Sequence, residues 1–146
     1  MPRGLLAGPT VEVERDVNAP RDVLWEVLTD TATWPDWGPS VRAVDVVDRY
    51  VAPGDTGRIR TPLGWIPFEI ESCGDYCWSW SVAGVPATGH RADHREGGSR
   101  VVFEVPVWAV GYAPVCARAA RQVARLAESR ARGREKGDVQ DGSSGR

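Results

Sequence analysis

TGRIRTPLGWIPFEIESCGDYCWSWSVAGVPATGHRADHREGGSRVVFEVPV, residues 56–107, decides the fold. It divides into five strand-like runs, at 56–61, 65–73, 76–83, 87–95 and 99–107. The breaks between them read Pro62-Leu63-Gly64, Gly74-Asp75, Gly84-Val85-Pro86 and Gly97-Gly98. These are turn residues: glycine supplies positive φ, and proline fixes φ and removes a ladder donor. Connections this short join antiparallel neighbours, because a parallel crossover needs a dozen or more residues. The stretch is therefore an antiparallel meander. A further strand is predicted just before it, at 41–49, ended by Pro53-Gly54-Asp55.

Upstream of the meander, Val11, Val13 and Val17 alternate with Glu12, Glu14 and Asp16, which predicts a half-buried strand over 10–17. Ala19-Pro20 then opens a helix whose apolar face is Val23, Leu24, Val27 and Leu28. Asp30 is placed to cap a second short helix, Thr31 to Trp34, which Pro35 should stop. Downstream, a long helix is predicted over about 110–131. Its apolar stripe is Tyr112, Val115, Cys116, Ala119, Val123 and Leu126, with Arg118, Arg121, Arg125 and Arg132 opposite. Arg130 falls on the apolar stripe, so the buried part should end near Ala127. The expected architecture is α+β, a curved antiparallel sheet wrapped around the C-terminal helix. Small residues on the helix stripe leave room for a cavity between helix and sheet. We expect a single domain over 10–132, an N-terminal extension at 1–9, and a disordered polar tail at 133–146.

The 146 residues carry a formal net charge of -2, so no overall field attracts nucleic acid or an anionic membrane. No apolar run approaches the roughly 18 residues of a membrane span, and no signal peptide is expected. Three cysteines at no metal-binding spacing fit a reducing cytoplasm. Seven tryptophans stand against two histidines, which leaves little for His-based catalysis or metal binding. His90 and His94 share a strand face but lie ~13 Å apart, too far to share an ion. No metal and no cofactor are expected.

The order of elements, with NAPRDVLWEVLTDTATWPDWGP near the start, resembles the SRPBCC superfamily of START, Bet v 1-like and polyketide cyclase proteins. The Ala-Pro helix start followed by Trp34-Pro35-Asp36-Trp37 is typical of bacterial members. RTPLGWIPFEI, WSWSVAGVPATGH and FEVPVWAVGYAPV are similar to a subgroup of actinobacterial members. The resemblance covers about residues 10–127. It implies a helix-grip fold with a ligand cavity between the sheet and the long helix. Because the superfamily includes carriers, cyclases, receptors and chaperone activators, it does not choose among these activities.

Loop parity locates the cavity mouth. In a meander, alternate loops lie at the same end of the sheet. Segment 34–40 and the connections at 61–65, 84–87 and 107–112 therefore share one end, and they are apolar and aromatic. The opposite loops are polar. An apolar rim suits the entrance to a hydrophobic cavity, although the same side chains would also serve as a core plug. Candidate ligand contacts are Trp37, Arg60, Trp65, Trp78, Trp80, Pro86, His90, Phe103, Trp108, Tyr112, Cys116, Ala119 and Val123. Tyr76, Trp78, Trp80 and Val82 share one strand face, which serves either as a stacking wall or as ordinary core.

His90 is the one weak catalytic candidate, and a satisfied core histidine or passive anchor is the simpler reading. Glu69 and Glu71 should face solvent, within reach of Arg58 and Arg60 on the next strand. If that face lined the cavity, Arg60 with Glu69 would become a polar anchor, and Glu104 is equally ambiguous. Cys73 and Cys77 could face each other across a hairpin, and two buried thiols are the better expectation. The expected partner is a small hydrophobic molecule, aromatic, polyketide-like or lipid. The alternatives are a cyclase or dehydratase using the same cavity, and a protein-interaction module using the apolar end. The sequence does not specify the oligomeric state.

Overall fold

A computed structural model describes residues 9–144, with side chains described through residue 136. The N-terminal extension, apart from Pro9, and the last two residues lie outside the described residues. The strands are β1 (Thr10–Val17), β2 (Ala43–Asp45), β3 (Thr56–Thr61), β4 (Gly64–Gly74), β5 (Cys77–Val82), β6 (Val85–Arg95) and β7 (Gly98–Pro106). The helices are α1 (Arg21–Thr29), α2 (Trp34–Trp37) and α3 (Ala113–Ser144). One antiparallel sheet runs in the order β1-β7-β6-β5-β4-β3-β2, so consecutive strands pair from β2 to β7 and β1 closes the far edge. This is the α+β helix-grip arrangement.

Two of the turns fall one residue away from the breaks expected at Gly74-Asp75 and Gly84-Val85-Pro86, since Gly74 ends β4 and Val85 and Pro86 open β6. Ala83 and Gly84 both have positive φ, as do Asp75 and Tyr76, and each pair makes a two-residue hairpin of the type that matches strand twist. Register shifts between Ile70 and Ser72, and between Ser79 and Ser81, mark bulges on either side of β5. Bulges bend a strand and raise its twist, which helps the sheet curl around α3. Cys116, Ala119, Ala120, Val123, Ala124 and Ala127 are the buried face of that helix. Their small size lets helix and sheet approach closely along most of their length.

Several expectations are corrected. Pro35 does not stop a helix. Thr31–Thr33 form a 3-10 turn capped by the Asp30 carboxylate, and Pro35 lies in the first turn of α2, where its missing N–H is not needed. The strand expected at 41–49 pairs only over Ala43–Asp45. Beyond it the chain is drawn toward the end of α1, where Arg49 donates two hydrogen bonds of 2.8 Å to Asp30 and its carbonyl accepts from Thr31. The apolar stripe of α3 is rotated from the expected one, since Val115 is exposed. The helix also runs on to Ser144, through residues expected to be a disordered tail. Arg134 follows Arg130 at i+4, and both reach the Glu26 carboxylate, which ties this extension to α1.

Tyr76 is not part of the aromatic wall. It sits in the β4–β5 turn, where its hydroxyl donates to Asp22 at 2.6 Å. Cys73 and Cys77 do not oppose each other, because Cys73 pairs in register with Trp78 and Cys77 with Gly74. Both side chains are half-buried. Among the described residues no helix is long and apolar enough to cross a membrane.

Candidate functional site: an aromatic cavity

The site begins with three strands side by side. Trp78 on β5, His90 on β6 and Phe103 on β7 are direct cross-strand neighbours on the inner face of the sheet. Such neighbours stand close enough for their rings to touch. Trp78 and His90 stack at 3.9 Å with 22° between their planes, and His90 meets Phe103 edge-on at 5.2 Å. α2 adds the second layer. Trp34 stacks on Trp78 at 5.2 Å and 11°, and Trp37 packs against both His90 and Phe103. Both α2 rings are held by their N–H groups, from Trp34 to the Leu28 carbonyl and from Trp37 to the Thr33 hydroxyl.

Beside this cluster lies a cavity of about 310 Å³. That is the small end of the range for ligand pockets and would hold about ten waters by volume. Trp37, Trp78, Trp80, Pro86, His90, Phe103, Trp108, Tyr112 and Cys116 line it, so nine of the thirteen candidate contacts come together. The four segments grouped by loop parity meet there, through Gly38 and Pro39, Thr61, Ala87, and Ala109.

The other four candidates lie elsewhere. Arg60 and Trp65 are register partners on the outer face of the sheet. Inward and outward positions alternate on a strand, and the inward set here is Ile59 and Ile66. Ala119 and Val123 are buried, but further along α3 than the cavity reaches, so they pack as core. Glu69 and Glu71 are exposed. Arg58 pairs with Asp45 rather than with either glutamate. Glu104 faces away from the cavity and accepts from Arg91 at 2.8 Å.

His90 is enclosed and internally satisfied. Its Nδ1 lies 3.4 Å from the Trp78 carbonyl, an atom that only accepts, so this nitrogen carries the proton. Nε2 is then an acceptor, and the Thr88 hydroxyl donates to it at 3.0 Å. Thr88 in turn accepts from the Trp80 indole at 3.3 Å. Burial removes solvent from the imidazolium and lowers the His90 pKa from 6.5 to about 3, despite the opposing bond to Trp78. The ring is neutral at physiological pH, with both nitrogens occupied.

Other titratable groups at the cavity are also held in their neutral forms. Burial pushes the Cys116 thiol up to about 11, and burial raises the Tyr112 phenol above its ordinary value. One polar atom is left over: the Trp78 indole N–H is buried and has no hydrogen-bond partner. Among the described residues no three His, Cys, Asp or Glu side chains gather as a metal site.

Sequence reasoning missed Trp34, the ring at the centre of the aromatic stack. Its signal was the i, i+3 spacing to Trp37 within a single helical turn, which puts both rings on one face. Thr88 was also missed, though it shares a strand face with His90.

Residues 8–133 match the model of a family described as polyketide cyclase / dehydrase and lipid transport. No curated protein matches the chain. Among solved structures, protein SSP2350 from Staphylococcus saprophyticus is 13% identical, with a TM-score of 0.63, covering 79% of this chain and 88% of its own. Protein NE0264 from Nitrosomonas europaea is 16% identical, with a TM-score of 0.62 and coverages of 85% and 97%. Ara h 8.0201 is 14% identical, with a TM-score of 0.57 and coverages of 82% and 97%. At these identities the likeness is one of fold.

Proposed function

The chain belongs to the polyketide cyclase / dehydrase and lipid transport family, and from its cavity we propose that it binds a small, flat, largely apolar molecule of aromatic, polyketide or lipid type. The observation that carries this reading is the cavity of about 310 Å³, walled by Trp37, Trp78, Trp80 and Phe103 and reached between apolar loops. Aromatic walls favour flat ligands through offset and edge-to-face ring contacts. A ligand oxygen that reached the Trp78 N–H would also satisfy a donor the protein leaves unpaired.

Binding is favoured over cyclisation or dehydration by the state of the titratable groups. A general base needs a pKa near the working pH and an open route to its proton. His90 has neither, and Cys116 and Tyr112 are protonated at neutral pH. The test is native mass spectrometry of the protein purified from its own host, with displacement of N-phenylnaphthylamine, an uncharged fluorescent probe. A co-purified apolar compound that competes with the probe supports the reading. Absence of both compound and probe binding overturns it. Turnover of an enone or polyketide that is lost in His90→Phe would move the assignment to the enzyme.

A further inference from the structure

The rim of the cavity is ringed by apolar side chains that no described part of the chain covers. Leu63, in the β3–β4 turn, is 91% exposed, and Trp65 beside it is 45% exposed. Val85 follows the β5–β6 turn at 50%. Trp108 and Val110, in the 3-10 turn of Val107–Tyr112 before α3, are 65% and 52% exposed. Surface-running loop tips are ordinarily polar, and an apolar patch assembled from three separate loops at one end of a soluble domain marks an interaction site.

The charges at this end are the second observation. Segments 57–68, 83–91 and 107–127 contain arginines and no aspartate or glutamate, in a chain whose net charge is -2. Arg58 and Arg91 are neutralised by carboxylates. Arg42, Arg60, Arg118 and Arg121 are exposed and form no ion pair among the described residues. Arg60 is the register partner of Trp65, and Arg42 donates its N–H to the Arg60 carbonyl. Arg118 and Arg121 follow Val115 at successive three-residue steps on the exposed face of α3. Asp45, two residues along β2 from the register partner of Arg60, is already engaged by Arg58.

We propose that this end of the molecule docks on anionic lipid bilayers, with Leu63, Trp108 and Val110 entering the headgroup–acyl boundary and Arg42, Arg60, Arg118 and Arg121 meeting lipid phosphates. The arrangement follows the physics of interfacial binding. Tryptophan and aliphatic tips gain by leaving water, and guanidinium groups set behind them stay at the depth of the headgroups. A bilayer suits this rim better than a rigid protein does. The apolar tips surround an opening, and a fluid surface can fill between them where a rigid partner would touch only the ring. The proposal goes beyond the binding reading, because docking depends on the rim and not on what the cavity holds.

Vesicle co-sedimentation of the full chain tests it, using phosphatidylcholine alone and phosphatidylcholine mixed with phosphatidylglycerol. Binding should require the anionic lipid and weaken with added salt. The double variant Arg118→Gln/Arg121→Gln should bind the mixed vesicles about 25-fold more weakly, at about fivefold per lost charge. Leu63→Ser/Val110→Ser should lose at least about tenfold, from the apolar contribution. None of these side chains lines the cavity, so N-phenylnaphthylamine binding should be unchanged in both variants, which separates failure of docking from failure of the ligand reading. No binding to the mixed vesicles, or equal binding by the arginine variant, overturns the proposal. It is also overturned if Leu63→Ser/Val110→Ser instead abolishes a dimer seen by analytical ultracentrifugation without lipid. The rim would then be a contact between two copies.

Discussion

Lowering the pH from about 7.5 to about 5 should destabilise the protein by about 2 kcal/mol through His90 alone. In the folded chain its pKa is lowered to about 3. In the unfolded chain it returns to about 6.5. Between these values the unfolded state binds a proton that the folded state refuses, so stability falls as the pH falls through this window. Each pH unit below 6.5 costs about 1.4 kcal/mol, and pH 5 lies about 1.5 units below. His90→Phe keeps a ring between Trp78 and Phe103 but cannot titrate. It should be about 1–2 kcal/mol less stable than the parent at neutral pH, because the bonds to Thr88 and the Trp78 carbonyl are lost. Its stability should then change far less with pH, so the two curves should converge near pH 5 (roughly). Urea unfolding of ligand-free protein, followed by tryptophan fluorescence at half-unit pH steps, measures both curves. Carboxylate contributions are common to both proteins and cancel in the difference. Parallel curves for parent and variant across this range would refute the reasoning, since His90 would then titrate alike in both states.

Filling the cavity with Cys116→Trp should abolish N-phenylnaphthylamine binding while costing no more than about 1–3 kcal/mol, because the new ring enters existing space. Fluorescence titration and thermal melts read the two effects, and intact probe binding would place the ligand elsewhere. The Cys116 thiol, held up to about 11, should resist iodoacetamide at mildly alkaline pH in the folded protein and react once the chain is unfolded, as peptide mass spectrometry would show. Asp30→Ala should cost about 3–5 kcal/mol, because Arg49 and Arg130 converge on that buried carboxylate and the Ala32 N–H loses its cap. For Asp30, burial raises the pKa, but Arg49, the Ala32 N–H and Arg130 outweigh it and leave it lowered. Its contribution is therefore present above the ordinary carboxylate range and is lost as pH falls through the lowered value, which acid titration of the parent and variant would compare. Gly98→Ala should lower the melting temperature, since a Cβ there would collide with the Val17 carbonyl and push the start of β7 off β1.

The sequence alone determined the meander, because turn chemistry is local. Glycine, proline and aspartate announce their own backbone geometry, and strand period follows from two-residue alternation. Parity then follows by counting, and it puts Trp37, Pro86, Trp108 and Tyr112 at a common end, where the cavity lies. The same local logic failed where partners are distant in sequence. Trp65 belongs to the mouth by loop position but turns outward with its register partner Arg60, because the register of β3 on β4 sets which side of the pleat each residue takes. Ala119 and Val123 lie on the helix face that periodicity selects, yet the cavity ends before them. The depth of a cavity depends on how closely α3 meets a bent sheet, and that distance comes from bulges and side-chain volumes summed over several strands. His90 shows the division within one residue. Its type and strand were legible, but its neutrality and its closed hydrogen-bond circuit arise only when Trp78, Thr88 and Phe103 surround it. A histidine's charge is set by the solvent and partners that tertiary packing leaves it, and no local pattern encodes these.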